Sequence, residues 1–260
     1  MKKKVTEEYM ISKLIIDSYF NKLRKGLSCD VAVVGGGPSG LVCAYFLAKK
    51  GIKTALFERK ASLGGGIWGG GMMFNTVVVQ KELRRLYEEF NISYEIAEGK
   101  YLVTGTPELV SALSFAACKK GVEIFNFISA EDITVKKGTV CGLVLNWTSV
   151  EMAGLHVDPL SIDARYIVDA TGHDCDVVKK LMKRRGVRLK ETGDIYGEKF
   201  MNVELGEKEV VRNSKEIFPG LFVTGMAGNA VSGGHRMGPI FGGMMLSGEK
   251  VAKEIIKRLK

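Results

Sequence analysis

The chain has 260 residues, of which 46% are hydrophobic and 26% are charged, and its net charge is +9. This length can bury a substantial core, and the composition is that of an ordinary globular protein. Five cysteines without a C-x-x-C pair argue against a disulfide scaffold or a zinc site. The positive charge is spread along the chain without interleaved aromatic residues, so it predicts anionic small ligands and no nucleic acid.

The whole chain, 1–260, is predicted to form one dinucleotide-binding domain. An N-terminal helix, 1–26, is predicted because apolar residues recur at helical spacing with charged residues between them. This helix either packs on the outside of the fold or reaches a neighbouring subunit. No apolar run reaches membrane-spanning length, and MKKKVTEEYM lacks the apolar core of a signal peptide. The expected location is cytoplasmic, without a membrane partner.

A strand, a glycine loop, a helix and a second strand follow one another after Cys29. The apolar run VAVV suits a buried parallel strand and leads into GGGPSG, which satisfies G-x-G-x-x-G through Gly35, Gly37 and Gly40. These glycines allow a tight turn, a close approach to a pyrophosphate, and close helix–strand packing, in that order. The free N–H groups of the helix suit phosphate, and Glu58 at the end of the second strand suits a ribose diol. The segment predicts an α/β, Rossmann-like dinucleotide-binding fold.

A second glycine-rich stretch, LGGGIWGGGM, begins at Leu63. Glycine lets backbone press against a ligand, and the tryptophan and the following MMF are not the composition of a flexible linker. This loop is therefore predicted to face a ligand.

The rest of the chain predicts a flavoprotein (glutathione reductase-like) type of fold with inserted antiparallel strands. The predicted helices are 80–90, Pro107–Lys120, 176–185 and Phe241–Leu259, and the predicted strands are 94–104, 122–127, a pair within 128–146, 166–169 and 221–226. Residues 188–212 are expected to be a charged, partly strand-like excursion. Flavoproteins of this layout hold the flavin with a Gly-Asp after the last strand, whereas Met226 follows Gly225 here, which argues against bound flavin.

The three histidines are candidates for metal binding. His156 and His173 each lie near an aspartate, on either side of one predicted strand, and His235 lies in a glycine loop. Imidazole and carboxylate groups are ligands that ferrous iron or another mid-row divalent metal accepts. The residues alone leave this open, because a histidine outside a cluster is more often a satisfied polar group than a ligand.

The chain resembles the adenosine diphosphate thiazole synthase family of thiamine biosynthesis. The resemblance spans nearly the whole chain and rests on VVGGGPSGL, FERKASLGGGIWGGGMMF, NWTSVEMAGLHVDPL, DATGHD and HRMGPIFGGMMLSGEKVA, in the family's order. It implies a flavoprotein-like fold that consumes NAD as a substrate. Nicotinamide leaves, the ADP-ribose isomerises to a ketose, glycine condenses as an imine, and sulfur is added. Ring closure with loss of water gives the ADP-linked thiazole carboxylate.

The resemblance also implies a role for each candidate site residue. His156, Asp158 and His173 would be catalytic, and Asp158 and His173 match the family's Fe(II)-binding positions. Arg236 would bind the glycine carboxylate, since its planar fork suits a bidentate pair. Fe(II) would act as a Lewis acid and present bound sulfide. The residues that would hold the nucleotide are Gly35, Gly37, Ser39, Gly40, Glu58, Arg59, Gly66 and Met226.

Position 156 distinguishes two branches of the family. Fungal and plant members carry a cysteine there that donates its own sulfur, so each enzyme works once. Here the residue is His156, which has no sulfur to give. The resemblance thus implies the archaeal-type, sulfide-dependent branch with multiple turnovers, in which His156 serves acid–base chemistry, contacts the nucleotide, or is a passive replacement. Cys175 is the nearby thiol, but it does not occupy the donor position.

Two other functions remain open from the residues. An NAD- or FAD-dependent oxidoreductase can share this fold, because a fold alone does not fix chemistry. A dinucleotide-binding regulatory or scaffold protein is the non-enzymatic alternative, but it would leave Arg236, Asp158 and His173 without a task. The expected partners are NAD, glycine and sulfide. The family implies a homo-oligomer, commonly an octamer, with sites completed by neighbouring subunits.

Overall fold

The computed structural model describes residues 5–260, so the first four residues of the predicted helix 1–26 lie outside the described range. The strands are β1 (Ser28–Val34), β2 (Thr54–Glu58), β3 (Thr76–Gln80), β4 (Glu95–Ala97), β5 (Tyr101–Gly105), β6 (Glu123–Asn126), β7 (Ile128–Lys136), β8 (Thr139–Trp147), β9 (Leu160–Asp169), β10 (Lys199–Met201), β11 (Glu216–Phe218), β12 (Leu221–Val223) and β13 (His235–Arg236). The α-helices are α1 (Glu7–Gly26), α2 (Pro38–Lys49), α3 (Arg84–Glu89), α4 (Thr106–Lys119), α5 (Thr148–Ala153), α6 (Asp176–Met182), α7 (Val203–Asn213), α8 (Met226–Ser232) and α9 (Gly242–Leu259). Within the described residues, no helix has the length and apolar character needed to cross a membrane.

A mainly parallel sheet forms the centre of the fold, in the order β11-β12-β9-β1-β2-β6. Strands β12, β9, β1, β2 and β6 pair in parallel, and the edge strand β11 runs antiparallel to β12. Strand β1 is buried on both faces, because Val31 and Val33 pack on one side of the sheet and Ala32 and Val34 on the other. This explains why its sequence is a continuous apolar run without alternation. The Rossmann-like α/β fold is confirmed.

The long strand β9 changes its partner along its length. Its first residues, Leu160–Asp163, pair antiparallel with β8, and its last residues, Ile167–Asp169, pair in parallel with β12. Strands β7 and β8 form a hairpin with its turn at Lys137–Gly138, as predicted for the inserted antiparallel strands. On its other side β9 pairs with β1, and Val34 lies opposite Asp169. The carboxyl ends of β1 and β9 are therefore neighbours.

The helices α2 and α9 pack closely on one face of the sheet. A β-carbon at Gly248 of α9 would lie 2.2 Å from the carbonyl oxygen of Ser39 in α2, so the contact requires glycine. The predicted strand 94–104 is instead a hairpin of β4 and β5, which joins β3 in a small antiparallel sheet. On the opposite face, Tyr19 and Leu23 of α1 pack against the cluster that includes the β7–β8 hairpin.

Residues 188–212 differ from their prediction, because Val203–Asn213 forms a helix after the short strand β10. The Asn202 side chain caps this helix by accepting a hydrogen bond from the Leu205 N–H at 3.1 Å. Gly206 weakens the helical signal in the sequence. A β-carbon at Gly206 would lie 3.0 Å from the carbonyl oxygen of His235, so this helix packs closely against β13 at the glycine.

His235 also differs from its prediction as part of a glycine loop. It lies in β13, which pairs in parallel with β10. The Lys199 N–H donates to the Gly234 carbonyl, and the Asn202 N–H donates to the Arg236 carbonyl, both at 2.9 Å. The short helix α8 occupies the preceding part of the predicted loop. The pairing of β10 with β13 fixes the backbone around Arg236.

Candidate active site

A cavity of about 1300 Å³ opens at the carboxyl ends of β1, β2 and β9. Open α/β sheets bind their ligands at this edge. The wall consists of the glycine turn after β1, the glycine-rich loop after β2, the turn after β9 and the β10–β13 pair. The predicted site residues on the wall are Gly35, Gly37, Ser39, Glu58, Arg59, Gly66, His173, Met226 and Arg236.

The three glycines of the first turn have different surroundings. Gly35 has a φ of +104°, and a β-carbon there would lie 2.4 Å from the carbonyl oxygen of Ala170. Gly40 lies behind the wall in the first turn of α2, where a β-carbon would lie 2.0 Å from the carbonyl oxygen of Gly35. A β-carbon at Gly37 would meet no atom within 4 Å, and this residue faces the cavity. A different feature of the structure therefore favours glycine at each of the three positions.

Glu58 is buried at the end of β2 and is bound to backbone. Its Oε2 accepts a hydrogen bond from the Gly36 N–H at 2.7 Å, and its Oε1 accepts one from the Lys60 N–H at 2.8 Å. The carboxylate therefore ties the glycine turn to the end of β2. Each oxygen of a carboxylate can accept a second hydrogen bond, so the group retains capacity for a ligand hydroxyl.

Arg59 connects the end of β2 to the turn after β9. Its Nη2 lies 3.0 Å from a carboxylate oxygen of Asp174, and its Nη1 lies 3.1 Å from one of Asp176. Partial burial lowers the pKa of Arg59, but the hydrogen bond to Asp174 and the charges of both carboxylates outweigh this and raise it. Asp174 was considered from the sequence only as a possible metal ligand beside His173, and Asp176 was not predicted. The guanidinium is thus held at the cavity by two carboxylates.

A buried carboxylate holds the turn that carries His173. Asp169, at the end of β9, accepts hydrogen bonds from the Thr171 N–H, the Thr171 hydroxyl and the Val178 N–H. The Thr171 Oγ1 accepts a further bond from the Asp176 N–H at 2.7 Å. Burial raises the pKa of Asp169, and the hydrogen bonds oppose part of that shift. The backbone is therefore fixed on both sides of His173.

Glu198 lies between His173 and Arg236, and it was not predicted from the sequence. The His173 Nδ1 is 2.7 Å from the Glu198 Oε1, and the Arg236 Nε is 3.8 Å from the Glu198 Oε2. All three residues line the cavity. Glu198 immediately precedes β10, and Arg236 lies in the partner strand β13. No local pattern distinguishes Glu198 from the other glutamates of its segment, because its position depends on this strand pairing.

His235 fixes β13 from the side of α7. The Glu209 Oε2 accepts a hydrogen bond from the His235 N–H at 2.7 Å and lies 2.9 Å from the His235 Nδ1. Burial raises the pKa of Glu209, but the hydrogen bonds from His235 outweigh it and lower the pKa below its ordinary value. The Asn229 side-chain amide donates to the His235 carbonyl at 2.9 Å. The third histidine therefore holds the strand that carries Arg236.

The structure does not bring His156 and Asp158 to the cavity of their own chain. Both lie in the exposed segment 154–159 between α5 and β9, and neither lines the cavity. Leu155 of the same segment is 63% exposed. Among residues 5–260, no three His, Cys, Asp or Glu side chains form a group that could hold a metal. Of the two predicted metal ligands, only His173 therefore lines the cavity of its own chain.

Cys175 is buried next to the turn that carries His173. Its backbone is left-handed, with a φ of +39°. Burial is the largest cause of a shift that raises the pKa of its thiol to about 12. A buried, protonated thiol is a weak nucleophile.

The model of the Thi4 family matches residues 12–241. The chain belongs to the Thi4 family. Thiamine thiazole synthase from Pyrococcus horikoshii is 54% identical over 97% of this chain and 98% of the relative, and that from Methanothermobacter thermautotrophicus is 50% identical over 98% and 99%. The crystal structure of Thermovibrio ammonificans THI4 has a TM-score of 0.95 at 49% identity, and it covers 98% of this chain and 99% of that one.

Membership of the Thi4 family confirms the resemblance that the sequence motifs indicated. The identity to thiamine thiazole synthases extends over nearly the full length of both chains, so it supports an enzyme of thiamine thiazole synthesis. The structural agreement with THI4 likewise covers nearly the whole chain. The cavity at the strand ends therefore belongs to a fold that this family shares.

Proposed function

We propose that this Thi4-family protein is a sulfide-dependent thiamine thiazole synthase. It converts NAD, glycine and sulfide to ADP-5-ethyl-4-methylthiazole-2-carboxylate over multiple turnovers, and the first step, pentosyl transfer, releases nicotinamide. The observation that carries the proposal is a single cavity that joins dinucleotide-type glycine turns to His173 and Arg236. His156, which stands where other branches of the family have the sulfur-donor cysteine, supports the dependence on sulfide.

The nucleotide half of NAD is assigned to the glycine turns. The pyrophosphate lies at the N-terminus of α2, where the first N–H groups have no partner within the helix and the dipole favours negative charge. Ser39 lies in this first turn, and Glu58 lies at the end of β2, where a carboxylate can accept hydrogen bonds from a ribose. Arg59, Gly66 and Met226, which also line the cavity, contact the adenosine and pyrophosphate.

Glycine and Fe(II) are assigned to the part of the cavity wall that carries His173 and Arg236. Arg236 binds the glycine carboxylate through its planar guanidinium. The His173 ring is half-exposed on the wall, and its Nδ1 faces Glu198, so its Nε2 is the nitrogen available to a metal. Imidazole from His173 and carboxylate from Asp158 suit Fe(II). When bound there, Fe(II) supplies Lewis acidity toward the glycine-derived group and a coordination position for sulfide.

Asp158 and His156 are assigned to the cavity of a neighbouring subunit. The proposed assembly is a homo-oligomer, an octamer by family resemblance, with sites shared between subunits. The exposed segment 154–159 is available for such a contact, and large apolar side chains around the cavity mouth are also exposed, including Phe200 at 93%. One side of α1 exposes Ile11, Leu14 and Ile15. Clusters of exposed apolar side chains are typical of protein–protein contacts.

Nicotinamide is the expected product when the protein is incubated with NAD, glycine, sulfide and Fe(II). The reason is that the residues on the wall suit ADP, glycine and a metal, and Met226 takes the position of the flavin-binding aspartate. Chromatography measures nicotinamide and the thiazole product, and absorbance measures any NADH. Formation of NADH in place of nicotinamide, or stoichiometric flavin in the purified protein, would instead support an oxidoreductase.

Alanine at Gly40 is expected to lower stability, whereas alanine at Gly37 is expected to weaken NAD binding. Gly40→Ala places a β-carbon against the Gly35 carbonyl and is expected to cost about 1–3 kcal/mol of unfolding free energy. Gly37→Ala projects into the cavity and is expected to raise the KM for NAD at least about tenfold, with stability unchanged within about 0.5 kcal/mol. Urea unfolding and steady-state kinetics measure the two effects. If the two variants changed the KM for NAD equally, the assignment of Gly37 to the pyrophosphate would be contradicted.

A further inference from the structure

The carboxylate of Glu198 contacts two residues to which the proposed function gives different ligands. We propose that Glu198 is a positioning residue that holds both His173, for the metal, and Arg236, for glycine, in their working orientations. This inference rests on the proposed function, because that function assigns the metal and glycine to these two side chains. It adds a residue that touches neither ligand and acts through the residues that do.

The contact with His173 fixes one edge of the imidazole. Both oxygens of Glu198 lie close to the His173 Nδ1, at 2.7 and 2.8 Å. A hydrogen bond from Nδ1–H to the carboxylate leaves the lone pair on Nε2, which is the tautomer that a metal requires. The His173 side chain is 53% exposed and that of Glu198 is 14% exposed. The glutamate is therefore the more fixed partner, and the imidazole is the group that is oriented.

The contact with Arg236 involves the inner part of its guanidinium. The Arg236 Nε lies 3.8 Å from the Glu198 Oε2, while the side chain as a whole is 62% exposed. A guanidinium has five N–H donors, so an interaction at Nε leaves both terminal nitrogens for a carboxylate ligand. Glu198 thus restrains a long, exposed side chain without occupying the end that binds glycine.

The backbone around Glu198 is held by strand pairing. Glu198 precedes β10, whose Lys199 N–H bonds to the Gly234 carbonyl of the neighbouring β13 segment. On the far side of β13, the hydrogen bonds between Glu209 and His235 anchor the same strand to α7. The carboxylate and the guanidinium are therefore carried on paired backbone, which fixes their positions relative to each other.

Other carboxylates around Glu198 bind different partners. Asp169 supports the backbone of the turn after β9, and Asp174 and Asp176 bind Arg59. Glu209 binds His235 on the side of α7. Glu198 lines the cavity and contacts both proposed ligand-binding side chains. This combination favours a role in positioning them over a role in general stability.

Full-length protein with Glu198→Gln or Glu198→Ala tests this inference, with Glu204→Gln as the matched control. Glu204 lies in α7, and its ion pair with Lys208 joins two side chains that are 83% and 73% exposed. The readouts are the Kd for Co(II), titrated anaerobically by its visible absorbance, and the KM values for glycine and NAD. Urea midpoints of the three variants check that each one folds.

Both Glu198 variants are expected to weaken Co(II) binding about tenfold or more, as the loss of an outer partner of a ligating histidine does. Glu198→Ala is also expected to raise the KM for glycine about threefold, while the KM for NAD changes less than about twofold. The control is expected to match the wild type. A purely structural glutamate would alter the urea midpoint and the KM for NAD as well.

Wild-type Co(II) affinity and glycine KM in Glu198→Gln and Glu198→Ala would overturn the inference. If His173→Ala still abolished Co(II) binding in that case, the proposed metal site would stand without Glu198. Equal Co(II) binding by wild type and His173→Ala would instead remove the metal assignment from the proposed function, and the inference would fall with it. The two failures are therefore distinguishable.

Discussion

In the presence of NAD, glycine, Fe(II) and excess sulfide, the thiazole product is expected to exceed one equivalent per subunit. Without sulfide, no product is expected. A cysteine that donates its sulfur ends as dehydroalanine, so each such subunit works once, whereas His156 cannot supply sulfur and leaves the polypeptide unchanged. Chromatography quantifies the product against the subunit concentration, over a series of sulfide concentrations.

The mass of the intact protein is expected to be identical before and after turnover. Cys175→Ser is the control for an alternative donor, and it is expected to keep activity because this thiol is buried beside the cavity wall and is 1% exposed. Product that stops at one equivalent, together with a cysteine that has lost the mass of hydrogen sulfide, would show that the protein consumes its own sulfur.

Asp158→Ala and His173→Ala are each expected to lower thiazole formation at least about a hundredfold, since even outer partners of a metal ligand cost 10–100-fold. Nucleotide binding is expected to survive, because the glycine turns and Glu58 are unchanged. Anaerobic iron analysis, NAD titration and product formation measure the three properties. Asp163→Ala, which removes an exposed aspartate of β9, serves as the control.

Co-expression of the two alanine variants tests whether Asp158 and His173 of one site come from different subunits. In randomly mixed oligomers, about a quarter of the sites would then combine both native residues and recover activity. If both residues came from the same subunit, every site would lack one of them and no activity would return. Full activity and full iron content in either single variant would contradict the metal assignment itself.

The part of the fold around β1, α2 and β2 was predictable because local rules agree there. A continuous apolar run predicts a strand buried on both faces, and the glycine motif predicts the turn and the start of the helix. The structure has β1 and β2 paired in parallel with α2 between them, and Gly40 at the expected helix–strand contact. Each of these features depends on residues that are close in the sequence.

Glu198 could not be predicted because its role depends on contacts between distant residues. It lies 25 residues from His173, and it reaches Arg236 through the pairing of β10 with β13. The helix α7 was missed because Gly206 lowers the local helix propensity. The same glycine packs closely against β13, a contact that the local sequence does not reveal. Both features therefore depend on contacts between residues that are distant in the sequence.

The separation of His156 from the cavity of its own chain bears on how the sulfur source of such an enzyme can evolve. A side chain in an exposed segment makes few contacts within its own fold, and substitutions of this kind usually change stability by less than about 0.5 kcal/mol. Selection at position 156 can therefore act on chemistry with little effect on the fold of the single chain, and its remaining constraint is the proposed contact with the neighbouring subunit. Under the proposed function, an exchange of imidazole for thiol at this position would change the sulfur source while the rest of the fold is inherited intact.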